Sequence, residues 1–198
     1  MTVMAPLWLV LAAGLTGCGN SDARAQPRAE RVVDSVLPRE EALRRFREGL
    51  GPVASLAGSA PSLDSLVARF VRAVSASDTA ALAGLAVTRA EFAYLYYPTA
   101  AQGRPPYDLE PGLMWFMLFE HSNQGVNRAL RVQGGRPMVP AGYDCGSGPQ
   151  REGKNVLHGP CVVRWTDERG DTLAERLVGR VLERNGRFKV LSYANELD

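Results

Sequence analysis

Histidine is scarce in this 198-residue chain: it occurs twice, at His121 and His158, far apart. No Cys-x-x-Cys or His-x-x-x-His pair is present, so the spacings that place two metal ligands on one loop or helix face are missing, and no metal is expected. A Gly-x-Ser-x-Gly elbow, a phosphate-binding glycine loop and a dinucleotide fingerprint are also lacking, which argues against the common cofactor-dependent enzymes. No cofactor is expected. Charge of one sign is lacking too: 23 Lys plus Arg stand against 21 Asp plus Glu, spread along the chain. With no basic stripe to follow a phosphate backbone, nucleic acid is not expected as a partner. Internal repeats are absent.

Long hydrophobic runs are few. The apolar stretch from Val3 to Leu15 is broken by Pro6 and falls short of the roughly 20 residues needed to cross a bilayer. Its length suits the apolar region of a signal peptide. The stretch ends in Leu15-Thr16-Gly17-Cys18, which resembles the lipobox of bacterial lipoproteins. That resemblance implies that Cys18 is lipidated and becomes the first mature residue, so the membrane is a partner through a lipid anchor. Gly19 and Asn20 follow, without Asp at the second mature position, which resembles the pattern sent to the outer membrane in diderm bacteria, facing the periplasm. The organisation expected is a signal peptide over 1–18, a flexible tether over the Arg-rich polar stretch 19–36, and a single domain over 37–198.

With Cys18 carrying lipid, Cys145 and Cys161 remain as an even pair in a compartment that favours disulfides. They bracket "GSGPQREGKNVLHGP", read as a polar loop with four glycines and two prolines. A bridge over it is worth about 3 kcal/mol by the chain-entropy model. The alternative is a reactive thiol at Cys161 served by His158.

Helices fill the first two thirds. "LPREEALRRFREGL" starts with proline and acidic residues and spaces Leu37, Leu43, Phe46 and Leu50 on one face. Ser62 caps a helix with Leu63, Leu66, Val67, Phe70, Val71 and Val74 at helical spacing. Ser77 or Asp78 opens another, and Thr88 caps a third, "RAEFAYLYY", stopped by Pro98. A proline loop follows, and Pro111 opens a long helix to about Val132, stopped by Gly134 and Gly135. From Met138 the pattern changes to short strands: "CVVRWTD", "TLAERLVGRVLER" and "RFKVLSYAN", the last two joined by an Asn185-Gly186 hairpin. The fold class is therefore α+β, with amino-terminal helices on a curved antiparallel sheet formed mainly by the carboxyl-terminal third.

The long helix carries the main candidates. Residues 113–119 are apolar all round, so that half is expected to be enclosed, with Glu120 at the edge of the enclosure beside His121. A carboxyl there would have a raised pKa suited to proton transfer, whereas a helix merely passing into solvent would leave Glu120, His121, Asn123 and Gln124 in water. The "EFAYLYYP" stretch offers Glu91, Tyr94, Tyr96 and Tyr97, tyrosines being fit either to grip a ligand or to pack a core. "PPYDLEP" adds Tyr107 on a rigid segment. A ligand site is expected from Trp115, Phe119, Glu120, Tyr94 and Tyr97.

With "LVARFVRAVSASDTAALAGLAV", "LMWFMLFEHSNQGVNRAL" and terminal strands ending "RFKVLSYAN", residues 63–195 resemble the nuclear transport factor 2-like superfamily. The resemblance implies a curved sheet wrapped over helices with a cavity at the open end, in a superfamily that spans binding modules, enzymes and interaction domains. The leading expectation is a lipid-anchored envelope protein that binds a small apolar ligand or a partner protein without catalysis. The alternative is an isomerase, cyclase or hydrolase using Glu120, with His121 or Tyr94 assisting.

Overall fold

The computed structural model describes residues 37–146 and 148–195. The expected signal peptide, Cys18 and the tether lie outside the described residues. Helices come first and strands last, an α+β arrangement.

Local chemistry sets the helix starts. α1 (Arg39–Phe46) buries Leu43 and Phe46 and turns Glu41 outward to Arg44 and Arg45. α2 (Leu63–Ser75) begins where Ser62 Oγ accepts the Ser65 N–H, and its apolar stripe from Leu66 to Val74 is buried. α3 (Thr79–Leu85) begins at Asp78, whose carboxylate accepts the Ala81 N–H, while Ser77 takes a positive φ of 52° in the preceding turn. α4 (Arg89–Glu91) opens with a reciprocal cap between Thr88 and Glu91. The continuous helix expected from Arg89 to Tyr97 is not formed. After one turn the chain widens to a π-helical turn over Phe92–Tyr96 and tightens to a 3-10 turn over Tyr97–Thr99. Pro98 has no N–H to give and its ring crowds the carbonyl four residues back, so the α-helical ladder cannot run through it. α5 (Pro111–Gln133) is the long helix, and Gly134 ends it with its N–H on the Leu130 carbonyl.

Seven strands, β1 (Val139–Asp144), β2 (Gln150–Glu152), β3 (Asn155–His158), β4 (Cys161–Thr166), β5 (Thr172–Val178), β6 (Arg180–Arg184) and β7 (Arg187–Ser192), form two antiparallel sheets ordered β1-β4-β5 and β2-β3-β6-β7. The run expected as one strand from Thr172 to Arg184 turns at Gly179 and so serves both sheets. Opposite it, Gly159-Pro160 carries β3 into β4, with His158 paired to Val181 on one side of the corner and Cys161 to Val178 on the other. Glycine is required at the corner: a Cβ on Gly179 would lie 2.6 Å from the Ala194 carbonyl, and one on Gly159, at φ 99°, 3.0 Å from the Gly179 carbonyl. The β6–β7 hairpin turns at Asn185 and Gly186, both with positive φ, as a two-residue turn of this kind demands.

Cys145 and Cys161 are joined by a disulfide, with 3.9 Å between their Cα atoms. The segment they enclose is not the plain loop expected, because it contains the β2–β3 hairpin. Asn155 is what draws it in: its buried amide donates to the Leu95 carbonyl and Thr99 Oγ1 and accepts from Arg184. Leu157, two residues on, faces the same core.

Two apolar clusters result. One packs Phe70, Val71 and Val74 of α2 on Val163, Trp165 and Leu177. The other gathers Leu43, Phe46, Phe92 and Tyr97 with Met114, Leu157 and Leu182. α5 touches both, through Met114 near its start and Ala129 near its end. Between them Gly125 lets the helix rest on the end of β7, where any Cβ would run into the Tyr193 carbonyl. Ser122 Oγ accepts the Tyr193 N–H at that crossing, and Asn195 donates to the Gly125 carbonyl.

Candidate functional site

A groove of about 400 Å³ lies between α3 and α5. Leu82 and Ala83 of α3, continued by Ala86 and Val87, form one wall, and Trp115, Leu118, Phe119, Val126 and Leu130 of α5 the other. Leu191 and Tyr193 belong to its lining from the sheet side. The fold makes this groove because α3 is short, ends at Leu85 and packs on α2, while the next residues are tied to β7 by the Val87 N–H on the Val190 carbonyl, which leaves a channel beside α5.

The lining is apolar with a polar rim. Trp115 and Phe119 stack at 6.0 Å between centroids, 29° apart in plane. Thr79, Thr88, Arg89, Asn123 and Asn127 are exposed residues of the lining. Tyr193 is buried, and its hydroxyl donates to the Leu82 carbonyl at 2.8 Å. Burial drives that hydroxyl's pKa far upward, so it stays protonated. Arg89 is the single full charge of the lining among the described residues. Its guanidinium sits 4.6 Å over the Phe46 ring and makes no hydrogen bond or ion pair among the described residues. Among the described residues, no carboxylate or imidazole belongs to the lining.

Of the residues expected to bind a ligand, the structure brings Trp115 and Phe119 together in the groove and leaves the others out. Tyr97 is buried in the second cluster, its hydroxyl donating to the Leu109 carbonyl, and Tyr94 donates to the Leu50 carbonyl beneath the Arg47 guanidinium. Glu120 and His121 lie on α5 outside the groove lining, His121 exposed and Glu120 half-buried. At about 100° per residue, Glu120 and His121 are carried round the helix away from the face that holds Trp115 and Phe119.

The expected enclosure of the first half of α5 is not seen. Leu113, Phe116, Met117 and Phe119 are exposed, Phe116 at 59%, because the helix lies across the sheet with one side covered. An all-round apolar sequence does not say how many sides the fold will cover. Tyr107, 67% exposed, adds to this apolar surface area.

Glu91 has a different role from any expected of a pocket carboxylate. It is 1% exposed and accepts hydrogen bonds from the Ala57 N–H, the Thr88 N–H and the Lys189 ammonium, at 2.6, 2.8 and 2.9 Å. Those three contacts fix the corner from which Thr88 and Arg89 reach the groove rim. The disulfide leaves Cys161 no thiol to react, and His158 is hydrogen-bonded instead to Glu183 at 2.7 Å. Among the described residues no cluster of three potential metal ligands occurs, and no helix is long and apolar enough to cross a membrane. Sequence reasoning missed Leu82 and Arg89; the amphipathic spacing of Leu82 and Leu85 and the cap at Thr88 were legible, but nothing in them pointed to a shared groove with α5. No protein-family model, curated protein or solved structure matches the chain.

Proposed function

We propose that this is a lipid-anchored protein of the bacterial cell envelope, facing the periplasm from the outer membrane, that holds a small apolar ligand in the α3–α5 groove without transforming it. The anchor rests on Leu15-Thr16-Gly17-Cys18 and the apolar stretch before it. The ligand role rests on one observation above all, an open apolar groove whose only ionisable lining groups among the described residues are Arg89 and Tyr193. General acid–base chemistry needs a group that gains or loses a proton near neutral pH within reach of the ligand. Arginine holds its proton throughout, and the Tyr193 hydroxyl is both held protonated and committed to Leu82.

Native and denaturing mass spectrometry of the full chain, extracted from bacterial membranes in detergent, tests the reading. The expected result is a non-covalent extra mass that is not the detergent and that disappears in Val126→Trp, where the indole fills the groove. No extra mass, or one that survives the substitution, overturns it.

The exposed apolar surface of Tyr107, Leu113, Phe116 and Met117 favours a second role, contact with another envelope protein. A photo-crosslinking amino acid at position 116 should capture one defined envelope protein in cells, and no captured protein counts against that role.

A further inference from the structure

We infer that the groove's ligand is a single-chain anionic amphiphile of the long-chain carboxylate class, its chain laid along α5 and its head on Arg89. This rests on the ligand-binding reading above and specifies it. The lining on α5 runs from Trp115 to Leu130. That span is about 22 Å at 1.5 Å per residue, enough for a chain as long as one leaflet of a bilayer whose hydrocarbon is roughly 30 Å thick. A volume near 400 Å³ spread over such a length is a slot, the shape of a chain and not of a fused ring system.

The two ends differ. At the far end Ser77, just before α3, lies against Gly134, where α5 stops: a Cβ on Gly134 would be 2.9 Å from Ser77 Oγ. At the near end Arg89 stacks on Phe46, Phe46 lies 5.7 Å from Phe92, and Phe92 lies 5.3 Å from Trp115. The cation therefore belongs to the Trp115 end of the groove, linked to it through Phe46 and Phe92, and the other described residues of the lining are apolar or neutral. Arg89 is held from behind by an aromatic face with its N–H donors unclaimed among the described residues. A planar fork so held matches a carboxylate by two parallel hydrogen bonds, and no lining carboxylate among the described residues competes for it. Thr88 adds a hydroxyl beside it: its oxygen accepts the Glu91 N–H, which leaves the O–H free to donate.

The test uses the full chain in phosphatidylcholine nanodiscs with two photoreactive probes, a 16-carbon carboxylate and the matching 16-carbon alcohol, and maps labelled peptides. The carboxylate should label residues 113–131 about tenfold or more above the alcohol, as charge-assisted hydrogen bonding predicts. Arg89→Gln should bring carboxylate labelling down to the alcohol level, with Arg89→Lys in between. Val126→Trp should abolish both. Equal labelling by the two probes, or indifference to Arg89→Gln, overturns the anionic head while the ligand-binding reading stands. Absence of label on α5 from both probes overturns both.

Discussion

Glu91→Ala should be among the most damaging single substitutions in the domain. The carboxylate is 1% exposed and the Lys189 ammonium facing it 3% exposed by side chain, so neither has water to fall back on. Removing one partner of such a pair leaves a buried, uncompensated charge, at a cost of roughly 3–5 kcal/mol. The Ala57 N–H, which the carboxylate accepts at 2.6 Å, loses its partner as well, adding on the order of 1 kcal/mol. A total near 5 kcal/mol corresponds to a fall in Tm of roughly 10–20 °C for a domain of this size. It also rivals the whole stability of many domains, about 5–15 kcal/mol, so the informative experiment is a double-mutant cycle with gentler changes. Glu91→Gln keeps an acceptor for one amide but strands Lys189. Lys189→Met removes the ammonium and leaves the carboxylate with two N–H donors. The double variant, with neither charge, should be more stable than the sum of the singles predicts by about 2 kcal/mol in urea unfolding. Additivity within about 0.5 kcal/mol would refute the claim that these side chains act as a buried pair. Because the Thr88 N–H is also bound to Glu91, Glu91→Gln should weaken the proposed ligand capture at Arg89 even where the fold survives.

Three further outcomes follow from the same structure. Cys145→Ala with Cys161→Ala should lower unfolding free energy by about 3 kcal/mol, read from urea midpoints, with no further loss on adding a reductant. Gly125→Ala should cost about 2 kcal/mol or more, because the atom its Cβ would strike is the Tyr193 backbone carbonyl just past β7, which cannot swing aside; a midpoint unchanged from the parent would show that α5 does not rest there. Hydrogen bonds from Arg44 first, then Arg45, hold the Glu41 carboxyl well below its ordinary range, at about 2. Its depressed pKa means that the support it gives α1 is complete above about 4.5 and is lost as pH falls toward about 2. A side-chain NMR titration should find that low midpoint in the parent and a return toward the usual range in Arg44→Ala.

The sequence by itself determined the local pieces, because each is written in a few adjacent residues. Ser62, Asp78 and Thr88 start helices by hydrogen bonds that span three positions, Pro111 and Gly134 bound α5, and Asn185-Gly186 adopts the positive φ values of a tight hairpin. The cysteine pairing was legible by elimination, and the α+β class followed from the order of helical and strand patterns. Which surfaces meet was not written locally. Residues 113–119 read as a segment to be enclosed, yet enclosure depends on how many neighbours the topology supplies, and α5 received cover on one side. Glu91 looked no different from Glu120 along the chain; only the arrival of Ala57 and Lys189, 34 and 98 residues away, made it a buried hub. The groove is of the same kind. Trp115 and Phe119 announced an apolar face, but Leu82, Arg89 and Tyr193 reach it through three separate elements, and the corner at Gly159 and Gly179 that carries the chain from one sheet to the other was visible only as two more glycines.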